Sequence, residues 1–519
     1  MSFMSQVKTE LVNGENNTAV TANGARGYRT TGNALLDLNF AVSTLRHRDE
    51  WEIEAMFANA CAEDLDLAIV WLFFARDIRG VGMGERRLFR VCFDYLVREF
   101  PLKAINVIHL IPEYGRWDDL IEVYFRTKNP EIKGLILSIL HDQIQEDVED
   151  LAYGKPVSIL AKWLPSINTS SQATRREANI LCKDLGFTPK EYRQMLSSLR
   201  KQIDVVERKM SRNQWNEINY EGVPSKANLL YRHAFMTHDP ERRKAFLDSL
   251  KKDPKKINAS VLFPHEIVGA YVDYDGFYLG NSSPTKDLDE TLEALWKNLP
   301  NVLPTDANIM VVADGSGSMM SGYYVKVRPL DVANALAIYF AERLSPAYRN
   351  KYITFSNSPQ YVDLSGATTL KGKLDIAFEH DEVAGTNIEA VFDLILITAI
   401  DNQLKQEELP ETVLVLSDME FNDASGHRAN DKLFDVIRRK FEAFEYKPPK
   451  LAFWNINSGT MAIPVRENEL GVALISGFSP SVVQMVMSGE LDPVKAMTSV
   501  LSDVRYDLVR EALKVGESA

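Results

Sequence analysis

The sequence predicts two architectures in one chain: an α-helical repeat domain, then an α/β domain built on a doubly wound parallel sheet. Three observations predict it. From Asn33 to about Leu250, apolar residues recur at three- and four-residue steps, the spacing of one helix face. From Ile309 onward, short apolar runs alternate with helical stretches, the rhythm of a parallel sheet covered by helices. The 519 residues suffice for two to four domains, and 45% hydrophobic with 25% charged residues is ordinary for a globular protein.

In chain order, residues 1–30 are rich in Asn, Thr and Gly and read as an extended or mobile arm. Residues 31–260 form the helical domain. Leu65 to Arg76 is apolar nearly all round, as in the central helix of a stack. Further helical patterns cover 85–99, 102–111, 116–126, 131–150, 173–185, 188–211 and 239–250. Such short consecutive helices predict paired, HEAT-like stacking that would close into a ring if the solenoid curves enough, with no repeat of fixed length in the sequence. Residues 261–304 form the junction, where Gly276, Gly280 and Asn281-Ser282-Ser283-Pro284 make a loop before a helix from Leu288 to Leu299. The α/β domain spans 305–480, with strands at 309–313, 351–356, 412–417, 450–456 and 471–475 and helices at 329–344, 387–400 and 428–443. Residues 481–519 form a C-terminal helical segment, amphipathic from Asp492 to Lys514.

The net charge of −13 argues against a uniformly basic surface but permits a local basic groove. Cys61, Cys92 and Cys182 are widely spaced and lack zinc-finger spacing, so they read as reduced core residues of a cytoplasmic protein. The polar start carries no signal-peptide pattern, and the most apolar window, Leu67 to Ala75, is too short to span a bilayer. Membrane insertion is not expected.

Two groups of cations in the helical half are candidates for a polyanion. Arg76, Arg79, Arg86 and Arg87 surround a glycine-rich turn next to a helix start, a setting that favours phosphate; solvated arginines at a plain helix–helix turn are the equal alternative. Residues 175–212 hold ten Lys or Arg against five acids, with Arg193, Arg200, Arg208 and Lys209 near one helical stripe. That stripe would line a channel for a polyanion or form an ordinary solvated face. Lys162 beside Trp163 pairs a cation with an indole that would take a phosphate and a base, although a Trp at a helix end is more often core. No His/Asp/Ser or Cys/His set can be placed together from spacing, so no catalytic residues and no enzymatic activity are expected.

The strongest motif lies at Asp314, Ser316 and Ser318. One carboxylate and two hydroxyls follow a buried-strand pattern, with glycines at 315 and 317 allowing a tight turn. Hard oxygen ligands with few charges suit Mg²⁺ or Mn²⁺; a strand–turn–helix junction capped by Asp or Ser is the alternative. Thr386 on a glycine-led loop and Asp418 at the end of a second buried-strand pattern extend the set. In order and spacing, Asp314, Ser316, Ser318, Thr386 and Asp418 resemble the metal-ion-dependent adhesion site of von Willebrand factor A domains. That resemblance implies a non-enzymatic domain whose metal receives a carboxylate from a protein partner.

The helical half also resembles a family. Gly-Asn-Ala-Leu-Leu-Asp-Leu at 32, Arg-Asp-Ile-Arg-Gly at 76, Tyr-Gly-Arg-Trp-Asp-Asp-Leu at 114, Ala-Lys-Trp-Leu-Pro at 161 and Val-Pro-Ser-Lys-Ala at 223 are similar to domain of unknown function 2828. That family looks like a distant relative of the Ro autoantigen, whose TROVE module is a ring of helical repeats joined to a von Willebrand A domain. Phe263 to Tyr271 resembles the Ro segment that returns from ring to A domain. The resemblance implies a ribonucleoprotein scaffold that binds noncoding or single-stranded RNA ends. The alternative function is an adaptor that grips a partner's carboxylate through the metal site.

Overall fold

A computed structural model describes residues 17–21, 26–273, 285–304, 306–320, 327–381, 385–420, 433–459, 461, 463, 472–487 and 492–515. The expected junction loop with Gly276, Gly280 and residues 281–284 lies outside them. The chain divides into two compact units: Met1–Asp49, Pro224–Leu230 and Leu247–Val500 form one, and Glu50–Val223, Tyr231–Phe246 and Leu501–Ala519 the other.

The first unit opens with a hairpin, strands β1 (Thr18–Val20) and β2 (Arg26–Tyr28), in the stretch expected to be an extended or mobile arm. Tyr28 and Ile463 exchange backbone hydrogen bonds of 2.8 and 2.9 Å, which pin the hairpin to this unit. A six-stranded sheet follows, made of β3 (Ile309–Asp314), β4 (Lys351–Phe355), β5 (Tyr361–Asp363), β6 (Thr412–Ser417), β7 (Lys450–Asn455) and β8 (Val472–Ser476). Its order is β5-β4-β3-β6-β7-β8. Five strands run parallel, but β5 is antiparallel to β4, so the sheet is mixed rather than wholly parallel. An edge strand of three residues with only Val362 buried leaves too short an apolar pattern to read.

β3 and β6 are buried along their whole length, as central strands of a covered sheet must be. The helix Pro329–Ala341 packs against β3, β4 and β6 and is buried over all its thirteen residues. The helix Ala34–Leu45 packs on β7 and β8. It was expected to open the helical domain and instead belongs with the sheet. Its polar residues explain why: the Ser43 backbone N–H donates to Ser476 Oγ at 3.1 Å, and Asn455 Nδ2 donates to the Phe40 carbonyl at 2.8 Å. These buried partners satisfy groups that would otherwise be left unpaired.

The second unit is helical. The helix Leu65–Arg76 starts at Asp64, whose side chain accepts from the Leu67 N–H at 2.9 Å, and is buried from Ala68 to Arg76. It packs against Glu50–Glu63 and Arg86–Glu99, and the latter buries Leu88, Phe89, Val91, Cys92, Phe93, Leu96 and Val97 on one face. Full burial of large side chains such as Phe57 and Trp71 contributes about 1.5–3 kcal/mol each. The helix expected over 188–211 is two helices, Pro189–Gln202 and Val206–Ser211, separated at Asp204, which adopts φ of 55°. A left-handed residue ends an α-helix, so the basic stripe is broken there. The C-terminal helix also divides, into Pro493–Leu501 and Asp507–Lys514. No helix among the described residues is long and apolar enough to cross a membrane.

Candidate functional site

β3 and β6 pair in parallel with Ala313 opposite Leu416, so Asp314, Ser417 and Asp418 lie at neighbouring carboxyl ends of the sheet. Open α/β sheets bind ligands outside that end. Asp314, Ser316 and Asp418 are all buried. The Ser316 N–H donates to Asp314 Oδ1 at 2.9 Å, and Ser417 Oγ donates to Asp314 Oδ2 at 2.5 Å. Ser316 Oγ and Ser318 Oγ lie 3.0 Å apart. The Glu420 N–H donates to Asp418 Oδ1 at 3.1 Å, and Ser458 Oγ donates to Glu420 Oε1 at 3.3 Å. Three of the five expected metal residues, Asp314, Ser316 and Ser318, are therefore linked by hydrogen bonds, and Asp418 feels the charge of Asp314.

The electrostatics of this cluster are unbalanced. Burial raises the Asp314 pKa against the opposing bonds from Ser417 and Ser316. Burial, then the charge of Asp314, pushes Asp418 up to about 7. Two buried carboxylates side by side resist ionising together, and a bound cation reverses that penalty.

Thr386, the fifth residue, precedes the helix Ile388–Asp401, whose start is capped by Asn387 accepting from the Ala390 N–H at 3.1 Å. Thr386 shares no hydrogen bond with the other four among the described residues. Its Oγ1 is buried and has no partner. Two buried carboxylates with serine hydroxyls beside Asp314 are oxygen donors of the kind Mg²⁺ or Mn²⁺ takes, and the Thr386 hydroxyl is an orphaned donor of the same kind. Among the described residues, no three His, Cys, Asp or Glu side chains are arranged to hold a metal, so the set depends on hydroxyls.

Asp381 was not anticipated. It accepts from Asn334 Nδ2 at 2.9 Å, and burial, opposed by that bond and aided by the charge of Asp314, pushes it up to about 7. In the sequence it sits in Glu379-His380-Asp381-Glu382, which reads as a solvated helix end.

The cationic candidates separate into two groups. Arg76 is buried: its Nε and Nη2 both reach Asp119 Oδ2 at 2.8 Å. Asp119 Oδ1 also accepts from Arg90 Nε at 2.8 Å. Arg200 donates to the carbonyls of Ala161 at 2.7 Å and Leu164 at 2.6 Å and to Ser166 Oγ at 2.6 Å, closing the short helix Leu160–Trp163. Lys209 is held by Asp204 at 2.7 Å and by the Glu217 carbonyl at 2.9 Å. These three cations are internal braces and do not form a phosphate-binding surface. Their partners lie far away in sequence or on irregular turns, so helical spacing could not expose them.

Arg79, Arg86, Arg87, Lys162 and Arg193 are exposed, while Arg208 is half-buried. Arg79 pairs loosely with Glu113 at 3.8 Å and Arg86 with Asp118 at 3.3 Å. Lys162 and Arg116 lie over the Trp163 ring at 5.9 and 5.3 Å.

The family described as domain of unknown function (DUF2828) matches residues 21–135 and 135–307, and that described as domain of unknown function (DUF7788) matches 308–511. A relative in Acanthamoeba polyphaga mimivirus, Uncharacterized protein L728, is 30% identical over 523 residues, covering 93% of this chain and 87% of its own length. The crystal structure of Deinococcus radiodurans RO (RSR) protein matches over 82% of this chain and 92% of that one, at 17% identity and a TM-score of 0.44.

Proposed function

The chain belongs to the DUF2828 family, and we propose that it is a docking scaffold whose α/β unit grips an acidic protein partner through a bound Mg²⁺ or Mn²⁺. One observation carries this reading: buried Asp314, held by Ser316 and Ser417, raises the pKa of buried Asp418 at the neighbouring strand end, while the buried Thr386 hydroxyl has no partner. Asp314, Ser316, Ser318, Thr386 and Asp418 would hold the ion, Asp418 directly or through water. The ion would supply an electrophilic position for a partner's carboxylate. Ser417 orients Asp314 and is a positioning residue. The serine hydroxyls are committed to Asp314 and to each other, which supports binding rather than hydrolysis. Three free, buried cysteines support a reducing, cytoplasmic setting.

Calorimetry with Mg²⁺ and Mn²⁺ tests the centre. Asp314→Ala should abolish binding, and equal binding by this variant and the wild type would sink the assignment. Metal-stimulated nuclease or phosphatase turnover lost in Asp418→Ala would overturn the non-enzymatic reading.

A second reading, RNA binding by the helical unit, is favoured by the exposure of Arg86, Arg87, Lys162 and Arg193 and by the Ro resemblance in the sequence. Binding through about four phosphates would weaken roughly a hundredfold between 50 and 200 mM salt. Filter binding of RNA with a single-stranded 3′ tail against blunt RNA checks it. The triple variant Arg86→Glu, Arg87→Glu and Arg193→Glu should lose the tail preference. Binding indifferent to tail and variant would leave the docking reading alone.

A further inference from the structure

The glycine-rich turn after the helix Leu65–Arg76 presents the Asp77 carboxylate to the rest of its unit. The Asp77 side chain is fully buried and shapes the turn by accepting from the N–H groups of Arg79 and Gly80, both at 3.0 Å. It also accepts from Arg505 Nε at 3.1 Å and Nη2 at 3.3 Å, and from the Tyr506 hydroxyl at 3.4 Å. The same guanidinium donates to Glu113 Oε1 at 2.7 Å and to the Glu113 carbonyl at 3.2 Å. It lies 4.5 Å over the Tyr114 ring. Tyr506 stacks on Tyr114 at 5.8 Å, and the Tyr114 hydroxyl donates to the Arg505 carbonyl at 2.6 Å.

This is the full repertoire by which proteins recognise arginine: fork-shaped pairing with carboxylates, a carbonyl acceptor and an aromatic face. The glycines permit it. A Cβ on Gly80 would lie 2.4 Å from Asp77 Oδ2 and 3.2 Å from Arg505 Nε, and one on Gly82 would lie 2.3 Å from the Phe74 carbonyl. The arginines that suggested a phosphate cradle therefore flank a site of the opposite charge preference.

We propose that Asp77, Glu113 and Tyr114 form a receptor for an arginine-bearing segment, and that residues 501–515 of this chain are its exchangeable ligand. Beyond Arg505, the segment is held by Tyr506, fully buried and edge-on to Phe74 at 6.0 Å, and by a short helix. Its helix, Asp507–Lys514, is eight residues long and buries only Val509 and Leu513. A helix of that length is marginal by itself, so its order derives from docking. Lys103 Nζ and Asn106 Nδ2 add bonds of 3.3 and 2.8 Å to the carbonyls of Leu513 and Val515. Arg505 keeps a quarter of its side chain exposed and Val504 is 80% exposed, so solvent reaches the joint. The inference is independent of the metal and RNA readings.

The test uses the full-length chain carrying Arg505→Glu, with Arg505→Lys as the milder variant. In Arg505→Glu, backbone amides of 77–83 and 504–514 should exchange with deuterium at least about tenfold faster than in the wild type, while those of β3 and β6 stay unchanged. Arg505→Lys should give a smaller increase at the same amides, because it keeps the charge and loses the fork. A fluorescent peptide of residues 501–515 should bind Arg505→Glu and not the wild type, whose site is filled. The same peptide carrying Arg505→Glu should bind neither protein. Should Arg505→Glu fail to fold, the exchange and peptide experiments on Arg505→Lys decide. Unchanged exchange in the folded variants, or no peptide binding by them, overturns the proposal.

Discussion

Arg76 and Asp119 form a closed ion pair, 2.8 Å apart through two guanidinium nitrogens, with side-chain exposures of 2% and 0%. Two motif blocks thus meet inside the helical unit. Removing Asp119 leaves the buried Arg76 without its carboxylate, whereas removing Arg76 leaves Asp119 paired with Arg90 at 2.8 Å. Asp119→Ala should lower stability by about 3–5 kcal/mol and Arg76→Ala by less, read as a loss in urea midpoint. The double variant Arg76→Met and Asp119→Leu should recover part of that loss.

Arg200 and Arg193 share a helix and differ in role. Arg200 ties three acceptors of the segment 161–166, whereas exposed Arg193 donates to the Pro189 carbonyl of its own helix. Arg200→Ala should cost about 1.5–3 kcal/mol, from charged hydrogen bonds lost, and Arg193→Ala less than about 0.5 kcal/mol. Thermal unfolding of the two variants side by side measures the contrast.

Asn455 holds the helix Ala34–Leu45 through the Phe40 carbonyl at 2.8 Å and Thr44 Oγ1 at 3.4 Å. Asn455→Ala removes both bonds and the acceptor of the Ser458 N–H at 2.9 Å, at a cost of about 1–3 kcal/mol. Amide exchange across residues 34–45 should accelerate ahead of exchange in β3 and β6.

Asp381, pushed up to about 7 by burial with Asp314 nearby, is easier to protonate in the folded than in the unfolded chain. A raised folded pKa contributes stability that is fully present below the unfolded value near 4 and is lost as pH rises through about 7. The charged groups around it are Asp314, His380 and Asp331, with Asn334 donating a hydrogen bond. In chelator-treated protein the melting temperature should therefore fall between pH 5 and 7.5, and Asp381→Asn should flatten that fall.

The central sheet was legible because long buried strands have their own signature: β6 occupies the expected 412–417, and β3 ends at Asp314 as the motif requires. Asp314, Ser316, Ser318 and Asp418 meet because strand-end residues inherit the sheet's geometry. What stayed hidden depended on pairing between distant segments. The hairpin β1–β2 and the edge strand β5 each have three residues per strand, too few for periodicity to register. The charges of Arg76, Arg200 and Lys209 were visible, but a sequence pattern does not distinguish a solvated cation from one clamped by a carboxylate or a carbonyl forty residues away. The placement of Ala34–Leu45 beside the sheet rests on Ser43 and Asn455, polar residues whose partners sequence spacing does not reveal.

The alternation of chain segments between the two units constrains biosynthesis. The sheet-bearing unit begins before Asp49 and is not complete until Val500, while the helical unit receives its last helix from residues beyond Leu501. On the ribosome, neither unit can close as it emerges. Helix Ala34–Leu45 must wait for β7 and β8, some four hundred residues later, with its apolar face bare. A chain emerging at about 5–20 residues per second holds that face open for tens of seconds. During that interval the nascent protein is exposed to chaperones and to aggregation, and both units mature only after residues near 500 have emerged.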